Sequence, residues 1–244
     1  MTIPAEPITV PDKVVDLARG ADLVCVWRND YGGLTFRATG SGEPFYIKWG
    51  PRNAESAFRD EAERMRWAGR WLNVPRVLDS GENDTHEWIV TAAIDGLSAV
   101  DSRWEAEPAT AVRAVGEALR AMHDTLPVAE CPWDWSVPSR IANAAQRGIE
   151  VPAALRDSPS VDRLVVCHAD ACMPNTLIGP DGRWVAHVDL ALLGTADRWA
   201  DIAVASMSTE WNYGPGWEDA LIEAYGVEPD RERLAYYRDL WNAT

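Results

Sequence analysis

Val165-Val-Cys-His-Ala-Asp-Ala-Cys-Met-Pro-Asn175, followed by Val188-Asp-Leu-Ala-Leu-Leu-Gly-Thr-Ala-Asp-Arg-Trp-Ala-Asp-Ile-Ala203, holds the densest set of chemically useful side chains in the chain. Leu164 to Cys167 reads as an apolar strand. Thr176 to Ile178 and Trp184 to Val188 read as two more, joined through the Pro180-Asp-Gly182 turn. Such a hairpin returns the chain close to where it left, so Asp189 comes back toward Asp170 and Asn175. Two carboxylates and a carboxamide at a sheet edge offer oxygen ligands to a hard cation such as Mg²⁺. A remaining carboxylate can accept or orient the proton of a hydroxyl nucleophile. These are the parts of a phosphoryl-transfer site. Singly, an Asp or Asn after a strand is an ordinary loop former or helix cap, and only the joint spacing raises the chemical reading.

Working outward, residues 1–95 read as strands and turns with one inserted helix. Leu23 to Trp27, Leu34 to Ala38 and Phe45 to Trp49 are strand-like, separated by Asn29-Asp-Tyr-Gly-Gly33 and Gly40-Ser-Gly-Glu-Pro44. From about Glu55 to Trp71 the period becomes helical, with Phe58, Ala62, Met65 and Leu72 on one face. Arg76 to Ser80 and Glu87 to Thr91 return to strand. After Ile94-Asp95-Gly96 the chain becomes mainly helical: Glu107 to Asp124 with a Val112, Val115, Leu119, Met122 stripe, a short helix capped by Ser139, one capped by Asp197 running to about Trp211, and two more at Trp217 to Tyr225 and Asp230 to Leu240. This predicts a boundary near residue 95 and two lobes, 1–95 and 96–244.

The 244 residues carry a net charge of −15, and the only lysines are Lys13 and Lys48. Residues 1–95 hold 15 acids and 11 bases, net −4, and residues 96–244 hold 23 acids and 12 bases, net −11. An acidic surface repels nucleic-acid phosphates and anionic membranes and draws in cationic small molecules. No apolar run is long enough for a membrane span and the start lacks signal-peptide character, so a cytoplasmic address is expected. Cys25, Cys131, Cys167 and Cys172 form no regular framework and are expected to stay thiols.

The two quoted runs resemble the signature region of aminoglycoside O-phosphotransferases of the 3′ and 3″ group, and the similarity extends from about Trp27 to Trp241. The resemblance implies an α+β, bilobal, protein-kinase-like fold: an N-terminal antiparallel sheet with one helix, binding nucleotide, and a mainly helical C-terminal lobe with the catalytic loop. It implies transfer of the γ-phosphoryl group of ATP, or alternatively GTP, with Mg²⁺, to a hydroxyl of an aminoglycoside. By that resemblance Asp170 positions and activates the acceptor hydroxyl, and Asn175 and Asp189 hold the metal. Lys48 contacts the α- and β-phosphates and Glu61 holds it by an ion pair, with Asp60 as the competing neighbour. Gly32 and Gly33 lie in the turn over the phosphates, and the backbones of Ala92 and Ile94 contact adenine. His168 and Asp201 brace the catalytic loop without doing proton chemistry. The residues themselves single out Lys48, a lysine inside an apolar strand of an arginine-using chain, although a snorkelling edge residue would look the same.

Three departures stand out. Ala169 occupies a position where the family has glycine, Ala191 and Leu192 replace a glycine and an arginine, and the segment from Ile141 to Val161 is short. The acidic pairs that kanamycin-type enzymes use for the acceptor are partly missing, leaving Asp134, Glu210, Trp211 and Trp241 as candidates for acceptor binding. The ending Asp230-Arg-Glu-Arg-Leu-Ala-Tyr-Tyr237 resembles streptomycin 3″-kinases slightly more than kanamycin 3′-kinases. A kinase of another small hydroxylated metabolite and a non-catalytic nucleotide-binding pseudokinase are the alternatives.

Overall fold

In a computed structural model, which describes residues 8–29, 31–40, 42–52 and 58–244, the chain divides into two compact units. The first comprises the described residues up to 70 with 74–94, and the second comprises 71–73 with 95–244. Residues 71–73 join the second unit, where the Asn73 amide donates to the Val185 carbonyl at 2.7 Å.

The first unit is built on an antiparallel sheet of β1 (Asp22–Arg28), β2 (Leu34–Thr39), β3 (Phe45–Pro51), β4 (Val77–Glu82) and β5 (His86–Ala92), in the order β1-β2-β3-β5-β4. Alternation along β3 sends Ile47 to one face, where it packs with Phe36 and Val90 against Val14 and Ala18 of α1 (Asp12–Ala18). Lys48 therefore projects to the other face, toward α2 (Phe58–Ala68). The sequence reading contains no helix at Asp12–Ala18, because two turns are too short to show a period. Of the helix expected from Glu55 to Trp71, residues 55–57 lie outside the described residues, and the end falls at Ala68, leaving Leu72 outside the helix. Asp30 and Ser41 of the expected turns likewise lie outside the described residues.

The second unit holds β6 (Leu97–Ser98), α3 (Ser102–Glu105), α4 (Pro108–Thr125), α5 (Val137–Gln146), β7 (Leu164–Cys167), β8 (Thr176–Ile178), β9 (Trp184–His187), β10 (Gly194–Asp197), α6 (Trp199–Tyr213), α7 (Glu218–Tyr225) and α8 (Arg231–Ala243). Its core joins Val112, Val115 and Leu119 of α4 to Val165 and Cys167 of β7, Trp199 and Ile202 of α6, Tyr225 of α7, and Leu234 and Leu240 of α8. A Cβ at Gly116 would stand 2.7 Å from the Leu221 carbonyl oxygen and 2.7 Å from the Ala224 methyl, so glycine sets how closely α4 and α7 approach. Two short strands, β6 and β10, escape the sequence reading: β10 pairs antiparallel with β7, and β6 with β8. Two expected caps move. Ser136, not Ser139, precedes α5, whose first turn contains Pro138, and Ser139 donates instead to Asp134. Asp197 ends β10, one residue before the cap position, which Arg198 occupies, and accepts from the Trp199 N–H at 3.1 Å. Among the described residues no helix is long and apolar enough to cross a membrane, and all four cysteines are thiols.

Candidate active site

In the first unit, Lys48 Nζ meets Glu61 Oε1 at 2.8 Å, with the Glu61 side chain only 1% exposed. The neighbour Asp60 faces outward and pairs with Arg64 at 3.3 Å, while Glu63 is exposed, so the helix period selects Glu61 alone. The lysine is thus a held cation, not a solvated one. The Asn29 to Gly33 turn closes on itself: Asn29 Oδ1 accepts from the N–H groups of Tyr31 at 3.1 Å and Gly33 at 2.6 Å, and Gly32 N–H reaches the Asn29 carbonyl at 3.4 Å. Gly32 sits at φ +86°, and a Cβ on Gly33 would lie 2.5 Å from the Asn29 amide, so both positions demand glycine for different reasons. In this state the two glycine N–H groups serve the turn itself. Ala92 N–H is likewise taken, by the Arg76 carbonyl at 2.9 Å, whereas Ile94 N–H makes no hydrogen bond among the described residues.

In the second unit, β7 delivers His168, Ala169 and Asp170 into a loop held by one buried carboxylate. Asp201, 0% exposed on α6, accepts from His168 N–H at 2.6 Å, from Ala169 N–H at 2.9 Å, and from His123 Nε2 at 3.0 Å, and His123 Nδ1 in turn meets the Tyr225 hydroxyl at 2.9 Å. Burial works to raise the Asp201 carboxyl, but the His123 contact and the loop N–H groups outweigh it and hold the group below its ordinary range. The loop then turns through Ala169 at φ +69°, a left-handed conformation in which its Cβ is strained. His168 is spent structurally, with Nε2 donating to the Val188 carbonyl at 2.9 Å and Nδ1 accepting from Asp170 N–H at 3.3 Å.

Asp170 and Asn175 are joined directly. Asn175 Nδ2 donates to the Asp170 carbonyl at 2.9 Å and to Asp170 Oδ2 at 3.1 Å. The Thr176–His187 pair of the β8–β9 hairpin and a bond from Val188 N–H to the Asn175 carbonyl at 3.0 Å bring Asp189 to the same end. Asp189 itself stands at φ +63°. Burial first, and the negative charge of Asp189 second, push the Asp170 carboxyl upward. Two mutually repelling carboxylates lie beside an amide whose Nδ2 is committed to Asp170, so the side-chain Oδ1 of Asn175 is the atom it can offer a cation. That donor set fits Mg²⁺.

The acceptor-side candidates come from three places in the second unit: the segment before α5, the end of α6, and α8. Asp134 lies on the segment before α5 and accepts from Ser136 N–H at 2.8 Å, Ser136 Oγ at 2.9 Å and Ser139 Oγ at 2.5 Å; burial raises its carboxyl, and these bonds more than offset that. Trp241 is half-buried on α8 and lies 5.9 Å from the guanidinium of Arg140, which is also 5.2 Å from Trp135. Trp211, 57% exposed, and Glu210, also exposed, stand at the end of α6. The sequence reading missed His123 and Ser208. His123 follows Met122 on the apolar stripe of α4, and Ser208 Oγ accepts from the Met173 N–H of the loop at 2.9 Å. A histidine on a buried helical face was the available signal for the first, and an isolated serine gave none for the second.

Comparison with known proteins gives a consistent neighbourhood. The sequence pattern of the phosphotransferase enzyme family matches residues 27–237. An aminoglycoside 3′-phosphotransferase of Streptomyces fradiae is 35% identical across 86% of this chain and 90% of its own. A streptomycin 3″-kinase of Streptomyces griseus is 31% identical across 91% and 92%. Among solved structures, an aminoglycoside-3′-phosphotransferase of type VIII superposes with a TM-score of 0.79 at 26% identity, covering 96% of this chain and 98% of that one. An aminoglycoside phosphotransferase, APH(3″)-Id of Streptomyces rimosus, gives 0.72 at 25%, covering 93% and 95%.

Proposed function

The chain belongs to the phosphotransferase enzyme family of small-molecule kinases, and from that premise we propose that it moves the γ-phosphoryl group of Mg·ATP to a hydroxyl of an aminoglycoside in the cytoplasm. The observation that carries this reading is the Asp201-braced loop that joins Asp170 to Asn175 and turns Asp189 toward the same end. In this reading the first unit binds the nucleotide. Lys48, held by Glu61, neutralises the α- and β-phosphates, and the open Ile94 N–H meets adenine. Asn175 and Asp189 would hold Mg²⁺, which supplies charge neutralisation on the phosphate oxygens when bound. Asp170 orients the acceptor hydroxyl and takes up its proton as the new O–P bond forms and the bond between the γ-phosphorus and the bridging oxygen breaks, releasing ADP. Its carboxyl, raised mainly by burial and then by the charge of Asp189, suits a group that must accept a proton.

Positioning and electrostatics, not covalent chemistry, then supply the rate. The net charge of −11 on residues 96–244 attracts a polycationic acceptor, which Mg·ATP, being anionic, does not compete for. The named relatives divide between the 3′ enzyme at 35% identity and the 3″ kinase at 31%, and the ending Asp230–Tyr237 resembles streptomycin 3″-kinases slightly more. Two observations favour a different small hydroxylated acceptor: the Asp134 carboxylate is already engaged by two serines, and Trp241 lies beside Arg140. The deciding experiment is coupled ADP release across streptomycin, kanamycin-type aminoglycosides and unrelated amino-cyclitols. Turnover on streptomycin is the expected outcome, and turnover on kanamycin-type compounds instead would assign the 3′ type. Turnover confined to a non-aminoglycoside would replace the acceptor, and nucleotide binding with no transfer to any acceptor would make the protein a pseudokinase.

A further inference from the structure

We propose that Glu87 is a positioning residue for the nucleotide side of the site: by holding the first turn of α2, it sets where Glu61 meets Lys48. The inference rests on the reading of Lys48 as the phosphate contact. Glu87 lies on β5, paired across the sheet with Gly50 on one side and Glu82 on the other, and is only 6% exposed. Its carboxylate accepts from the Arg59 N–H at 3.3 Å and from the backbone of Phe58, the first two residues of α2. The opening N–H groups of a helix have no partner within it, and a carboxylate there satisfies them and complements the helix dipole.

An ordinary cap comes from the residue just before the helix and affects mainly whether the helix forms. This one comes from a neighbouring strand, so it governs where the helix lies on the sheet. Glu61 follows Arg59 by two residues, within the turn that Glu87 holds, and successive residues rotate about 100° around the axis. A small slip or rotation of that turn therefore carries Glu61 off Lys48, while another polar tie, Arg66 to Ser80 at 2.9 Å, lies toward the far end of the helix. Glu87 is also kept at a cost. Burial is the main cause that pushes its carboxyl up, and Glu82 adds like-charge repulsion. An apolar side chain would avoid that cost but would take from these two helix N–H groups the carboxylate they now donate to.

The test uses the full chain and measures Mg·ATP binding by calorimetry, without acceptor. Glu87→Met keeps the volume but deletes the acceptor and should weaken binding roughly fivefold or more. Glu87→Gln retains an acceptor oxygen and should restore affinity to within about threefold. In a Glu61→Gln background, Glu87→Met should add less than about twofold, because its route runs through the ion pair. Binding by Glu87→Met within about twofold of the parent, or a full-sized effect in the Glu61→Gln background, overturns the proposal. Failure of the parent chain itself to bind Mg·ATP would remove the reading of Lys48 and this inference with it. Should Glu87→Met not fold, amide hydrogen exchange on the parent decides: Phe58 and Arg59 are expected to be protected, and exchange at the free-peptide rate refutes the contact.

Discussion

Replacing Asp201 by asparagine isolates the bond set that shapes the loop. The carboxylate has three buried donors to satisfy, His168 N–H, Ala169 N–H and His123 Nε2, at 2.6, 2.9 and 3.0 Å. Asparagine keeps the size but turns one oxygen into an NH₂ group, so whichever way the amide is oriented, one backbone N–H faces another donor. A buried donor left without a partner costs about 1–3 kcal/mol. For a chain of this size about 2 kcal/mol lowers Tm by roughly 4–8 °C. The pH dependence follows from the carboxyl being held below its unfolded range in the folded state. Its stabilising contribution is complete above the ordinary carboxylate range, roughly pH 4, and is lost as pH falls through the depressed folded value. The gap in Tm between parent and Asp201→Asn should hence be constant from about pH 5 to 8 and narrow below about pH 4. Turnover should fall with it, because Asp170 follows directly from the two N–H groups that Asp201 holds, while Mg·ATP affinity should change little. Scanning calorimetry at several pH values with matched kinetics checks this. A Tm within about 1 °C of the parent at neutral pH, or a variant more acid-sensitive than the parent, would refute the bracing argument.

Four further outcomes are expected. Asp170→Ala should keep Mg·ATP affinity within about threefold but lose at least about 10³-fold in kcat, as removal of an acid–base group can; near-normal turnover in single-turnover assays would displace Asp170 from its role. Gly116→Ala should destabilise by roughly 2–3 kcal/mol in urea titrations despite alanine's better helix propensity, since the new methyl meets the Leu221 carbonyl and Ala224. Ala169→Gly relieves a left-handed alanine but gives the unfolded chain more freedom, so a net gain of up to about 1 kcal/mol is expected, read as a Tm rise of roughly 2–4 °C. Burial is the main cause that lowers His187 to about 3. The unfolded chain therefore takes up its proton first, and stability present above roughly pH 6.5 drains away below it by about 1.4 kcal/mol per unit. His187→Asn should flatten that slope, and an unchanged slope would exclude His187 as its source.

Legibility in the sequence tracked how local each cause was. The α4 stripe of Val112, Val115, Leu119 and Met122 is buried as its spacing implies, because a 3.6-residue period is a local property. β6 and β10 were not visible, since strands of two and four residues exist only through the partners they pair with, β8 and β7. The same division runs through the site. Glu61 could be ranked above Asp60 from a spacing of 13 residues after Lys48 once a family resemblance was in hand, and helix geometry shows why only one of them turns inward. The proposed acceptor contacts rested on residue type alone. Type does not reveal that the Asp134 oxygens serve two serine hydroxyls or that Trp241 lies beside Arg140.

What the amino-acid sequence by itself determined is the set of parts and their order: the apolar strand before His168, the hairpin that brings Asp189 back, the lone strand lysine, and an acidity concentrated after residue 95. Each follows from periodicity, turn chemistry or charge, which act over a few residues. Tertiary structure alone decided which groups meet. A histidine on α4, a carboxylate on α6 and the loop after β7 come together only when the helical core packs, and a glutamate on β5 reaches the start of α2 only because the sheet places it there. Hydrogen bonds between elements depend on distances that close when apolar burial has driven the elements together, and no local pattern records them.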